Sequence, residues 1–333
     1  MATTVISAFN EFMKDHVNLD ANVTISARKS RNWLIDQIDK FDEQDGFPNL
    51  YSDIDIHFGS FARRTKIREL DDIDLMFGLS AQGSTYLEVG DGKVEITVPD
   101  SVKDLYSLCH DYTDKLNSRK VINKFVASLK GVSQYENAAI KRNQEAATLK
   151  LNTYSWIFDI VPCFFTTADL LGRTYYLIPD GNGHWKKTDP RMDKDNILRI
   201  NKKHEGNVLD VIRLIKYWNE KAAMPTIGSY LIECLLLSYF DNKSNVSSYV
   251  DIEIINLLLH IHTAIFDNVA DPKNIQGNLN YLSYEDKQKI SQKAYSDYVK
   301  AFEARQAEQQ GDHATSIQKW GEVLGNDFPK YTG

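Results

Sequence analysis

The chain has 333 residues, 42% of them apolar, and sets 39 Lys and Arg against 46 Asp and Glu for a formal charge of −7. That length predicts one bilobal unit or two close lobes rather than a small single domain. The acidic balance argues against a grip on long DNA or RNA, which needs a basic face, and suits small anionic substrates held through metal ions.

Cys109, Cys163 and Cys234 are too widely spaced for a disulfide framework or a Cys-x-x-Cys metal knuckle. No basic, then apolar leader opens the chain, and no run of ~18 apolar residues appears. The expectation is a cytoplasmic protein with reduced thiols and no membrane association.

Residues 3–43 predict helix, with Ile25, Trp33, Ile35 and Ile38 on its apolar face. Strand signals follow between 50 and 180. Ile54–Phe58, Ile73–Phe77 and Ala147–Leu151 alternate, and Trp156–Val161 is a further candidate. Gly90-Asp91-Gly92 predicts a hairpin turn, and a helix is expected over Val102–Leu116. Beyond about 193 the pattern is helical. Val208, Val211, Ile212, Ile215 and Trp218 define one face, Leu231–Phe240 is nearly all apolar, and Ile290, Ala294, Tyr298 and Phe302 recur every four residues. The order suits an α+β fold, a mixed-sheet lobe packed on a helical C-terminal lobe. The expected division is 1–44 as N-terminal helices, 45–200 as the sheet core and 201–333 as the helical lobe.

Three short motifs carry chemistry. Phe58-Gly59-Ser60-Phe61 places a Gly-Ser bend after a strand, where Gly59 admits a close phosphate and Ser60 adds a hydroxyl donor. Asp72-Ile73-Asp74 follows, and side chains two apart on a strand share a face. Two ionised carboxylates so placed in a dry site call for a compensating cation, and magnesium takes oxygen ligands; the alternative is a solvated acidic strand start. Asp53 and Asp55 show the same spacing but precede the bend, so the later pair is preferred. Asp159, within Phe158–Pro162, is an ionisable group in an apolar strand, which fits a third metal ligand and proton acceptor or a buried turn cap.

Further on, Arg213 and Lys216 are helical neighbours that could meet a triphosphate or form a solvated basic edge. Ser229-Tyr230 stands at a helix start suited to phosphate, and Tyr230 could stack on a base. The same residues would also serve as a cap and a core aromatic.

In this order, Gly59-Ser60 with Asp72-Ile73-Asp74, Phe158–Pro162, Ile212–Trp218 and Ser229-Tyr230 resemble the cyclic GMP-AMP synthase and DncV-like nucleotidyltransferases, and within them the bacterial antiphage-signalling branch. Trp185–Pro190 and the closing Trp320–Pro329 add to the resemblance, which spans roughly residues 50–330. It implies a polymerase-beta-like nucleotidyltransferase lobe. Asp72, Asp74 and Asp159 would be catalytic and would bind two Mg2+ ions, with Mn2+ able to substitute. Gly59, Ser60, Arg213, Lys216 and Ser229 would hold the donor triphosphate, and Tyr230 would stack on its base. The implied activity is synthesis of a cyclic di- or trinucleotide second messenger from nucleoside triphosphates. The implied partners are a separate effector protein that the product activates and a ubiquitin-like ligase acting on Gly333. A linear oligonucleotide synthase and a transferase that nucleotidylates proteins or small molecules share the same motifs. No zinc-binding Cys and His insertion is present, so activation by nucleic acid is not expected.

Overall fold

Alternating side chains in the middle third of the chain put apolar residues on one face of each strand, and pairing those faces builds a sheet. The computed structural model describes residues 2–333. Among them, nine strands form one sheet: β1 (Ile56–Phe58), β2 (Asp72–Gly78), β3 (Thr85–Gly90), β4 (Lys93–Thr97), β5 (Ala139–Asn143), β6 (Ala146–Lys150), β7 (Ile157–Phe165), β8 (Tyr176–Pro179) and β9 (Trp185–Thr188). The helices in chain order are α1 (Val5–Phe12), α2 (Ala21–Ile38), α3 (Gly59–Ala62), α4 (Lys103–Tyr106), α5 (Ser118–Lys130), α6 (Pro190–Lys203), α7 (Val208–Lys221), α8 (Ser229–Asp241), α9 (Val250–Ala264), α10 (Tyr284–Gln309) and α11 (His313–Leu324).

The chain divides into two compact units. One comprises Asn22–Arg63 and Leu70–Lys194, the other Met1–Ala21, Arg64–Glu69 and Asp195–Gly333. The segment expected as one N-terminal piece, 1–44, is thus shared between them.

In the sheet unit the path is β1-β2-β7-β8-β9-β4-β3, with β6 also on β7 and β5 on β6. β2 and β7 run parallel over seven residue pairs, Asp72 opposite Ile157 through Gly78 opposite Cys163. The other strand pairings are antiparallel. Ile73 and Leu75 of β2 and Phe158 and Ile160 of β7 are buried on one face. α5 packs along β5 and β6 through buried Val121, Ile122, Phe125 and Leu129.

In the helical unit, α7 buries the expected face of Val208, Val211, Ile212, Ile215 and Trp218, and α8 is buried over most of its length. Phe9 and Phe12 of α1 meet Phe328 edge-on. The Trp218 indole N–H donates to the buried Asp297 carboxylate at 2.7 Å, and Lys293 reaches the same group at 2.7 Å. No helix among the described residues is long and apolar enough to cross a membrane.

Several expectations differ from the structure. Over Val102–Leu116 only α4 is helical; the longer helix starts after Asn117, whose side chain accepts from the amides of Arg119 and Lys120. On α2 the buried residues are Ala27, Leu34 and Ile38, while Ile25 and Trp33 face solvent. On α10 the buried stripe runs through Ile290, Ala294, Asp297, Ala301 and Ala304, leaving Phe302 exposed. Ile38, Ile290 and Ala294 are buried as expected, so both helices were found and the buried stripe is rotated from the expected one.

Asp55 does not belong to a strand. Its Oδ1 accepts the Gly78 amide at 2.6 Å, which closes the end of β2. Burial pushes its carboxyl up to about 7, with Asp39 adding to the effect and the Gly78 bond opposing it. A carboxyl raised on folding contributes stability that is present below its unfolded value of 3.8 and lost as pH rises through about 7. Asp55→Asn keeps the acceptor and removes the ionisation. It is expected to stabilise by about 1–2 kcal/mol at pH 8 and not at all at pH 4, as measured by urea melts at the two pH values.

Candidate active site

The parallel register of β2 and β7 decides where the carboxylates go. Asp74 and Asp159 are direct partners across the two strands, and strands in register lie about 4.8 Å apart with partner side chains on one face. Asp72 lies on the same face two residues earlier. Farther along that face Met76 and Val161 are also partners and lie in an apolar cluster with Ile54, Cys163 and Tyr176. The three aspartates therefore form the polar end of an otherwise apolar sheet face.

The Gly-Ser bend stands beside them. β1 pairs antiparallel with β2 so that Phe58 faces Asp74, and Gly59 follows with φ +72°. A Cβ on Gly59 would lie 1.7 Å from Asp74 Oδ2. The carboxylate is thus turned into the bend, and only a residue without a side chain leaves room for it. Ser60 occupies the first turn of α3. Gly59, Ser60, Asp72, Asp74 and Asp159 all belong to the sheet unit.

Burial raises the Asp159 carboxyl above its ordinary value, and the nearby Asp72 and Glu145 charges push the same way. The donor set, three carboxylates, is the hard-oxygen kind that magnesium takes. Among the described residues no three His, Cys, Asp or Glu side chains are already gathered tightly enough to hold a metal ion.

The remaining candidates lie in the helical unit. Lys216 is buried and paired with Glu233 at 2.9 Å, and Glu233 Oε1 also accepts from Thr65 at 2.8 Å. Arg213 is engaged by Asp210, by Asn18 Oδ1 at 2.6 Å and by the Arg64 carbonyl at 2.6 Å. Ser229 is exposed at the first position of α8; Gly228 holds the cap position, and no side chain caps the helix. Tyr230 is half-buried, and its hydroxyl donates to Asp271 at 3.2 Å.

Comparison with known proteins shows the family. No protein-family profile matches the chain. A probable cyclic nucleotide synthase of Bacillus cereus (strain VD146) is 44% identical over 333 residues, covering 99% of both chains. The chain belongs to the cyclic GMP-AMP synthase and DncV-like nucleotidyltransferases. It is an enzyme of that class. A cyclic AMP-AMP-AMP synthase of Acinetobacter is 25% identical over 198 residues, 56% of this chain and 54% of its own. Among solved structures, CdnC of Escherichia coli MS115-1, determined with ATP and in a complex with HORMA, shares the fold. For the ATP form the TM-score is 0.69 at 18% identity, over 97% of this chain and 98% of that one. Escherichia coli DncV aligns with a TM-score of 0.58 at 14% identity, over 82% of this chain and 69% of its own.

Sequence reasoning about this nucleotidyltransferase did not include Glu233, Thr65, Asp271 or Lys273. A signal existed for Glu233, an acid in the apolar run Leu231–Phe240 and a turn from Ser229. The other contacts join residues 41 or more positions apart and have no local signature.

Removing one partner of a buried ion pair leaves the other charge uncompensated. Glu233→Leu is expected to cost about 3–5 kcal/mol in urea melts, and a loss below about 1 kcal/mol would contradict the burial of Lys216. Gly59→Ala meets both a left-handed backbone and the Asp74 carboxylate. It is expected to cost at least ~1–3 kcal/mol, checked by the same melts.

Proposed function

We propose that the protein joins nucleoside triphosphates into a cyclic di- or trinucleotide second messenger and releases pyrophosphate. The observation that carries this reading is the 44% full-length match to a probable cyclic nucleotide synthase. The pairing of Asp74 with Asp159 beside the Gly59 bend supplies the chemistry. The trinucleotide, already implied by the resemblance, is supported by the Acinetobacter relative, named for three AMP units.

In this reading a ribose hydroxyl of the acceptor attacks the donor α-phosphate, and pyrophosphate leaves in line. Two magnesium ions, when bound at Asp72, Asp74 and Asp159, would supply Lewis-acid polarisation of the entering and departing oxygens. The residues do the rest by position. Gly59 admits the phosphates close to the backbone, and Ser60 offers a hydroxyl donor. Asp159, whose proton affinity is raised by burial and by Asp72, takes the proton of the attacking hydroxyl. On the helical unit Ser229, at a helix start, is assigned to phosphate and Tyr230 to a base. Arg213 and Lys216 are assigned to the triphosphate less directly, through the polar networks that hold them.

The reading extends to a bacterial antiphage setting in the cytoplasm, with a separate effector protein responding to the product. A linear oligonucleotide synthase is the main alternative, and a transferase acting on proteins or small molecules the other.

The test is incubation with four labelled nucleoside triphosphates and magnesium or manganese, followed by mass spectrometry. A phosphatase-resistant product of cyclic mass is expected; a phosphatase-sensitive ladder would favour the linear alternative. Asp72→Asn with Asp74→Asn is expected to lower pyrophosphate release at least ~1,000-fold, ~4 kcal/mol in the barrier, with the urea midpoint kept. Turnover retained in that variant would refute the assignment.

A further inference from the structure

The sheet face that carries the three aspartates continues past β7 onto β6 and β5. Thr148 is the partner of Asp159, and Lys141 is the partner of Thr148. Two residues along β6, Lys150 is the partner of Ile157, which is itself the partner of Asp72. Partners in a ladder share a face, and so do residues two apart on a strand. One row therefore runs from the Gly59 bend through Asp74, Asp159 and Thr148 to Lys141, with Lys150 beside it. Both lysines are exposed. Among the described residues no carboxylate pairs with either, whereas Lys186 of β9 is met by Glu145 at 2.6 Å.

The direction of the reaction gives this row a meaning. In the proposed step the acceptor hydroxyl oxygen bonds to the donor α-phosphorus, its proton passes to Asp159, and pyrophosphate leaves with the α–β bridging oxygen. The Gly59 bend holds the leaving pyrophosphate at the β1 end of the row. In-line displacement puts the attacking oxygen on the opposite side of the α-phosphate, so the acceptor nucleotide enters over β7, β6 and β5. An acceptor that is itself a triphosphate brings several negative charges to a face already lined by carboxylates. The cations that meet it there are Lys141 and Lys150. Two strand spacings, about 10 Å, separate Lys141 from Asp159, comparable to the span from a ribose hydroxyl to the terminal phosphate of the same nucleotide.

We propose that Lys141 and Lys150 form a second phosphate subsite, which binds the acceptor nucleotide's own triphosphate and so favours a triphosphate over a bare nucleoside in the first bond-forming step. This rests on the synthase reading above. To close the ring, the linear intermediate must carry that same triphosphate over to the Gly59 bend. Exposed lysines, whose contacts are screened by water and salt, suit a group that is held for one step and released for the next.

Competition between two acceptors on the full chain tests it. The protein is incubated with the four nucleoside triphosphates and an excess of the four nucleosides, and products are quantified by mass spectrometry. A nucleoside-initiated product has no triphosphate and cannot close. Its ratio to triphosphate-initiated product compares the two acceptors on the same donor-bound enzyme, so effects on the donor cancel. Lys141→Met and Lys150→Met are each expected to raise that ratio about 2- to 5-fold, and together about 5- to 20-fold. The double variant is expected to raise KM for nucleoside triphosphate by a similar factor while kcat stays within about twofold. Lys130→Met, which removes an exposed charge at the end of α5, controls for net charge and should change neither quantity. An unchanged ratio or an unchanged KM in the double variant, or an equal effect of Lys130→Met, would each overturn the inference while leaving the activity intact. No pyrophosphate release by the unaltered protein would instead remove the proposed function, and this inference with it.

Discussion

The candidate site depends on the register of a single parallel strand pair. Asp74 stands beside Asp159 only because β2 and β7 pair in step over seven positions. A slip of one residue would move one strand's side chains to the other face. Ile73, Leu75, Phe158 and Ile160, each 2% exposed or less, would then lose burial worth about 1.5–3 kcal/mol apiece, and carboxylates would enter the core in their place. The apolar face therefore holds the acidic face in register, and the same alternation that builds the core builds the site.

Most buried charges have a partner of opposite sign, Asp189 with Arg191 in the sheet unit among them. In the helical unit buried charges are paired: Lys216 with Glu233, Lys293 with Asp297, Lys273 with Asp271. Such pairs hold elements in place, and their side chains meet one another's needs. In the sheet unit Asp159 has like charges for neighbours, Asp72 and Glu145, and its proton affinity rises accordingly. Strands that bring carboxylates together at a cost to the folded chain mark a place where a cation or a proton has work to do.

Much of this was legible in the sequence where a pattern is local. Period-two alternation located β2, β6 and β7, Gly90-Asp91-Gly92 the β3–β4 hairpin, and the apolar faces of α7 and α8 the helical core. β5, β8 and β9 were not found. β5 has one buried residue among charged and polar neighbours, and β9 carries Lys186 and Lys187, so their alternation is masked. α5 was displaced upstream because Leu105 and Leu108 resemble a helical face, while the signal that starts the helix, the Asn117 cap, lies beyond them. On α10 hydrophobicity pointed to Tyr298 and Phe302, yet alanines line most of the buried stripe, and on α2 the stripe runs through Ala27 and Leu34 to the expected Ile38. Periodicity finds the helix in such cases and misplaces its face.

The site itself was legible to the extent that its geometry is carried by strands. Asp72, Asp74 and the Gly59 bend lie within 16 residues of one another along the chain, and adjacent strands turn that proximity into contact. What joins Lys216 to Glu233 is the packing of two helices, and no spacing rule reaches from one helix to another. That contact also alters what Lys216 can contribute. A lysine whose charge is already met by a buried carboxylate brings little net charge to a phosphate, and the chain as a whole is acidic. Under the proposed function, Lys216 would meet the triphosphate with its charge shared with Glu233, and divalent cations held by the three carboxylates would add to it.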